Sequence, residues 1–249
     1  MTMKTLLSTT YCGPVQWYQK LYRSEEVLME RQETFQKQTY RNRCVIATTN
    51  GLQTLTVPVE RSSSNLIKDI RISNHGNWRH QHWFALMSAY NESPFFDYYQ
   101  DDFRPFFERQ YDYLYDFNME ICRKVCELID IQPNIKETTF YRSAGVRPLP
   151  PPSPCRGSLT SNPSSLISNL SSKIGSSPHS TNLSTCQLVN SSTEIIDFRS
   201  AINPKHPADD ADFVARRYYQ VYERKHGFQP NLSILDLLFN MGPESVFWL

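Results

Sequence analysis

Apolar and polar positions change their period along the chain. Up to about residue 72 they alternate in short runs; beyond it they recur every three to four residues. Residues 4–8 (Lys-Thr-Leu-Leu-Ser) read as an opening strand, and residues 27–30 as a second. Between them Gly13-Pro14 starts a helix, since proline suits a first turn whose N–H groups lack partners anyway. That helix carries Trp17 with Leu21 and Tyr18 with Tyr22 at i, i+4 spacing. Two alternating runs, 43–49 and 52–59, flank Asn50-Gly51, which predicts a hairpin with a type I′ turn. Residues 66–72 alternate again. The helical part begins at Asn77, a cap for a helix over 78–90. Short aromatic helical pieces over 94–109 follow. A long helix over 112–130 puts Leu114, Phe117, Ile121, Val125 and Leu128 on one side. Near the end, a Tyr/Arg-rich helix over 213–225 and a helix over 232–240, capped by Asn231 and stopped by Gly242-Pro243, complete the pattern. Strands first and helices after predict an α/β fold: a small central sheet that includes a β-hairpin, flanked by helices.

The periodicity fails between 143 and 193. That span has no acidic residue, a run of prolines at 148, 150–152 and 154, and repeated serine pairs. It cannot bury enough apolar surface to offset chain entropy, so a long disordered insertion is expected. The chain then divides into a main α/β domain over 1–142, the insertion, and a C-terminal segment over 194–249. That segment is too small to stand alone and is expected to pack back on the main domain.

Composition narrows the function classes. Of 249 residues, 26 are basic and 25 acidic, which gives a net charge of +1 with no basic cluster; a nucleic-acid partner is not expected. The N-terminus has only two leucines after Lys4, too little for a secretory signal, and no apolar run is long enough to cross a membrane. A cytoplasmic protein is therefore expected. Its six cysteines are read as reduced thiols rather than disulfides or zinc ligands. No nucleotide-loop, hydrolase or zinc-protease motif occurs, so neither a cofactor nor a metal is expected.

Several ordered segments resemble the WbqC-like protein family. They are residues 11–20 (YCGPVQWYQK), 36–43 (QKQTYRNR), 55–59 (LTVPV), 78–83 (WRHQHW) and 230–240 (PNLSILDLLFN). Many family members place a His-Gln-Pro element before the tyrosine; here Ser8-Thr9-Thr10 stands there, and the Ser/Pro span replaces an ordered middle. The chain thus resembles a short branch of the family. The resemblance implies a role in bacterial O-antigen or surface-polysaccharide biosynthesis, as a group transferase of glycyl or aminoacyl type.

The candidate chemistry lies in four constellations. Lys37, Arg41 and Arg43, with Tyr40 among them, enter the hairpin on one loop. There they can converge on a phosphate or carboxylate, or simply be solvated charge at a strand edge. His82 follows Trp78 by one helical turn and can act as a general base or anion binder, or pack quietly. His80 and His82 diverge by roughly 200° at about 100° per residue, which excludes a shared metal. The acids at 101, 102, 108 and 112 stand among many aromatics, a pattern that fits core better than a sugar platform. Asp236 sits in an apolar helix, where a buried carboxylate would need a cation such as Arg41 or Arg43, unless it takes the helix's polar side. The expected site joins Tyr11, Lys37, Tyr40, Arg41, Arg43 and Trp78 as ligand-binding residues, with His82 and Asp236 as proton carriers. The expected partner is a small-molecule anionic donor: a nucleotide-sugar, an aminoacyl donor or an acyl donor. A non-catalytic scaffold role in the same pathway is the alternative.

Overall fold

The computed structural model describes residues 3–60, 63–142, 195–205 and 210–249. The Ser/Pro span expected at 143–193, with Cys155 and Cys186, lies outside the described residues.

Among the described residues, six short strands make two sheets. β1 (Lys4–Ser8), β2 (Glu26–Glu30), β5 (Ile135–Glu137) and β6 (Ile195–Asp197) form a wholly parallel sheet in the order β5-β2-β1-β6. Its registers pair Leu6 with Leu28 and with Asp197. Parallel strands must be joined by crossovers, and α1 (Val15–Arg23) makes the first, between β1 and β2. Leu6, Leu7, Val27 and Met29 are fully buried, as expected of a parallel sheet covered on both faces.

The hairpin forms a sheet of its own, from β3 (Arg43–Thr48) and β4 (Gly51–Thr56). Its turn differs from the expected one. The connecting residues are Thr49 and Asn50, and only Gly51 has positive φ (+107°). A type I′ turn needs positive φ at both central residues, so Asn50 rules it out.

The helices follow the 3.6-residue pattern where that pattern is long. α2 (Trp78–Tyr90) buries Trp78, His82, Leu86, Ala89 and Tyr90. Asn77 precedes it without capping it. α3 (Phe96–Glu108) is one helix rather than short pieces, with Pro105 inside its last turns. α4 (Leu114–Leu128) turns Leu114, Phe117, Ile121 and Val125 inward, as the spacing predicts. In α1, Trp17, Tyr18 and Leu21 are buried but Tyr22 is half exposed. Residues 66–72 hold one 3-10 turn (Ile67–Asp69) and three isolated bridges, at Leu66, Arg71 and Ile72, rather than a strand.

The C-terminal segment departs most. The helix expected over 213–225 is absent; only α5 (Glu223–His226), a single turn, forms there. Tyr218 and Gln220 are buried while Arg217 and Tyr219 are exposed, a period of two set by inward partners rather than by a helix. α6 (Ile234–Met241) is capped by Ser233, whose side chain accepts from the Leu235 N–H, not by Asn231. Asn231, at φ +56°, instead caps α1: its Oδ1 accepts from the Gln16 N–H at 2.9 Å.

Gly242 ends α6 at φ +59°, and a Cβ there would stand 2.5 Å from the Phe95 ring. Replacing it with alanine is expected to lower the unfolding free energy by about 1–2 kcal/mol from backbone strain alone, more if the ring cannot shift. A urea midpoint unchanged from wild type would contradict this. No helix among the described residues is long and apolar enough to cross a membrane.

Candidate functional site

In an open parallel sheet, ligands enter the crevice outside the carboxyl ends of the strands, where successive connections leave in opposite directions. By chain order this sheet reads third, second, first, fourth, so that point lies between β1 and β6. Two adjoining clefts open there. The larger, about 330 Å³, is lined by residues that include Glu33, Gln36, Arg41, Tyr141, Asp197 and Arg199. The smaller is a narrow slot of about 10 Å³, lined by Ser8, Thr9, Thr10, Tyr40, Arg41 and Arg199 among others. Arg41 and Arg199 line both, so the two form one crevice.

Two ion-pair groups, one buried and one part-buried, build its walls. Arg41 donates from Nε to Glu33 Oε1 (2.8 Å) and from Nη2 to Glu33 Oε2 and Ser8 Oγ (2.8 Å). Ser8, the last residue of β1, also donates to Glu33 (3.0 Å). Such a two-pronged guanidinium–carboxylate pair has fixed geometry. Arg41 is only 4% exposed, and its Nη1 meets no protein partner among the described residues. Arg199 donates to both Asp197 oxygens (Nε at 3.0 and 3.1 Å, Nη2 at 2.6 Å) and to Glu30 at 3.3 Å. Burial opposes charge on Arg199, yet the hydrogen bonds and charge of Asp197 outweigh it, so its pKa rises. Glu30, fully buried at the end of β2, also accepts from the Gln32 N–H, the Arg142 N–H and Thr138 Oγ1. The Arg199 guanidinium lies 5.2 Å from the Tyr141 ring centre, and that ring is about half exposed. Thr10 Oγ1 is buried with no protein partner among the described residues.

Two guanidiniums thus meet three carboxylates, Glu30, Glu33 and Asp197. The crevice carries no excess positive charge, and it offers directional donors and acceptors rather than an attractive field for an anion.

The phosphate cradle usual at the first strand–helix turn is also closed. The first amides of α1 are taken up by the chain itself: Val15 N–H by Leu232 O (3.0 Å) and Gln16 N–H by Asn231. Ser233 Oγ donates to Cys12 O, and Ile234 N–H to Gly13 O, which lace the loop shut. A helix N-terminus attracts anions only through free N–H groups, and these are spent.

The residues expected from sequence fall into three places. Tyr40 and Arg41 line the crevice; Lys37 is exposed on the loop one residue beyond the lining Gln36. Arg43 opens β3, with its Nε buried and without a partner among the described residues. Tyr11, Trp78 and His82 come together inside the core: the Tyr11 hydroxyl bonds His82 Nδ1 at 3.0 Å, and the Trp78 and His82 rings meet edge to face at 5.1 Å. Burial pushes the His82 pKa down to about 4, against a smaller raising effect from the Thr56 backbone. This imidazole is therefore neutral at pH 7.

Asp236 stands at a third place. It is 1% exposed and accepts from Tyr218 Oη (2.7 Å), Tyr90 Oη (2.9 Å) and Gln220 Nε2 (3.2 Å). The expected arginine partner is a correction: Arg41 is bound to Glu33, and two phenols and an amide satisfy Asp236 instead. Burial raises the Asp236 pKa to about 6, although all three hydrogen bonds lower it. Neither His82 nor Asp236 lines the crevice.

Sequence reasoning missed Glu30, Glu33, Tyr141, Asp197 and Arg199. The usable signal was positional: polar residues directly after the apolar core of each parallel strand.

The parallel sheet, the separate hairpin and the flanking helices define an α/β protein. A model of the WbqC-like protein family matches residues 9–147, and the chain belongs to that family. It is also 25% identical to the uncharacterized protein Rv1507c of Mycobacterium tuberculosis (strain ATCC 25618 / H37Rv) over 228 residues, covering 90% of this chain and 87% of that protein. No solved structure matches.

Proposed function

We propose that the chain is a group transferase in surface-polysaccharide assembly, with its substrate in the crevice between β1 and β6. One observation carries this reading. Arg41, fixed by the buried Glu33, and Arg199, fixed by the part-buried Asp197 and the buried Glu30, line one crevice at the carboxyl end of the sheet. Residues 8–10 support it further. They stand where many members of the family carry a His-Gln-Pro element, and they line the same crevice.

In this reading Arg41 Nη1, Thr10 Oγ1 and the Tyr40 and Tyr141 rings hold the polar, uncharged part of a donor. Lys37, exposed beside the mouth, meets its anionic end. Rigid donors held in place in advance lose little on binding, which favours positioned transfer. His82 and Asp236 enter as positioning residues. His82 holds Tyr11, whose backbone N–H donates to Tyr40 O at 2.8 Å, and Asp236 holds Tyr90 and Tyr218. The scaffold alternative draws on the ion pairing, since among the described residues both carboxylates that line the crevice, Glu33 and Asp197, are already bound to arginine.

A thermal-shift screen of nucleotide-sugars, aminoacyl donors and acyl-CoA on the wild type and on Tyr141→Ala tests the proposal. One donor class is expected to raise the melting point, by about 2.7 kcal/mol of stabilisation at a hundred times its Kd. Tyr141→Ala, at an exposed ring, should remove that shift and leave the unliganded melting point nearly unchanged. No shift with any class, or a shift indifferent to Tyr141→Ala, would refute it. Binding without turnover would favour the scaffold reading.

A further inference from the structure

A second cleft, about 470 Å³, lies between α2 and α3. It is separate from the crevice in composition, sharing no lining residue with it. Its apolar surface comes from Trp83, Phe84, Met87 and Phe107. Phe107 is buried and Trp83 packs on it at 5.7 Å, so that wall is rigid. Phe84 is 52% exposed, and its ring lies tilted against His80 at 4.1 Å. An aromatic ring that open, next to a thioether, is surface that a ligand would remove from water.

The rim is cationic. Arg79 and Arg104 line the cleft and Glu108 is the acid among its lining residues. Arg104 and Glu108 form an exposed pair at 2.6 Å, which leaves the charge of Arg79 uncompensated there. Arg79 donates from Nη2 to Asn74 Oδ1, and its Nε is buried without a partner among the described residues. The first turn of α2, at the mouth, holds no acidic residue and no side-chain cap, so its dipole adds to the positive field.

We propose that this cleft binds an amphipathic organic anion, with a flat or acyl apolar body against Trp83, Phe84 and Met87 and a carboxylate or phosphate toward Arg79 and Arg104. The volume falls in the range of small-molecule pockets, and the mix of aromatic walls with a few convergent polar groups is their usual chemistry. The proposal does not rest on the transferase reading.

Calorimetric titration of the full chain tests it, with 1-naphthoate and octanoate as anions and 1-naphthylmethanol and octanol as neutral counterparts. The naphthyl and octyl arms separate a flat body from an acyl one. At least one anion is expected to bind at a single site, about tenfold or more tighter than its alcohol. Phe84→Asp and Arg104→Glu, both at exposed side chains, should each weaken that anion by about tenfold or more. Equal affinity for acid and alcohol would overturn the proposal. So would the failure of both anions to bind below millimolar concentration, or unchanged affinity in both variants.

Discussion

Replacing Arg41 with alanine is expected to lower the unfolding free energy by about 3–5 kcal/mol, a large share of a domain's total stability. The guanidinium is 4% exposed and bound twice to Glu33, itself 5% exposed. Removing it strands a buried carboxylate and takes a partner from Ser8 Oγ. Desolvation decides the sign: the pair is costly to bury, but one charge left alone costs far more. Replacing both residues, as Glu33→Leu with Arg41→Met, is therefore expected to recover most of the loss. Urea unfolding of the two single variants and the double variant measures this. Additive losses in the double variant would contradict the pairing. The same argument makes Arg41→Ala a poor probe of ligand binding, because its effect on folding comes first.

Two buried groups outside the crevice should give opposing pH dependences. The His82 pKa is lowered to about 4 by burial. Below pH 6.5 the unfolded chain takes a proton there that the folded chain refuses until about pH 4. Stability is thus lost between those values, by about 3 kcal/mol in all. The Asp236 pKa is raised to about 6, again by burial. The folded chain takes that proton first, so stability is gained between about pH 6 and the ordinary carboxylate range, also by about 3 kcal/mol. The two contributions nearly cancel in the wild type. His82→Gln removes the loss, so its stability relative to wild type is expected to climb as pH falls from 6.5 to 4. Asp236→Asn removes the gain and should fall relative to wild type from pH 6 downward. Denaturant melts at four or five pH values test this. Parallel profiles for the three proteins would show that neither group is held as described.

The legible part of the fold was its long-period part. Residues 4–8 and 78–90 match β1 and α2, because their apolar spacing alone decides burial. α4 differs from its expected span only at the ends. Local pattern failed where a distant partner decides conformation. Tyr218 and Gln220 both reach Asp236, and residues 217–220 form no helix where composition favoured one. Asn231 caps α1 rather than α6, since the left-handed backbone at 231 turns its side chain toward Gln16. The candidate site was legible in fragments. Tyr40 and Arg41 were found by their clustering with Lys37 and Arg43. Glu30, Asp197 and Arg199 become neighbours only when β6 pairs beside β1, across about 170 residues of chain, and no local spacing encodes that.

The central claim is that the crevice between β1 and β6 receives the ligand. Amide chemical-shift mapping of the full chain with a nucleotide-sugar such as UDP-glucose tests it most directly. The largest shifts are expected at residues 8–10, 33–41 and 197–200. Saturable shifts confined to residues 76–87 and 104–110, with the crevice silent, would contradict it.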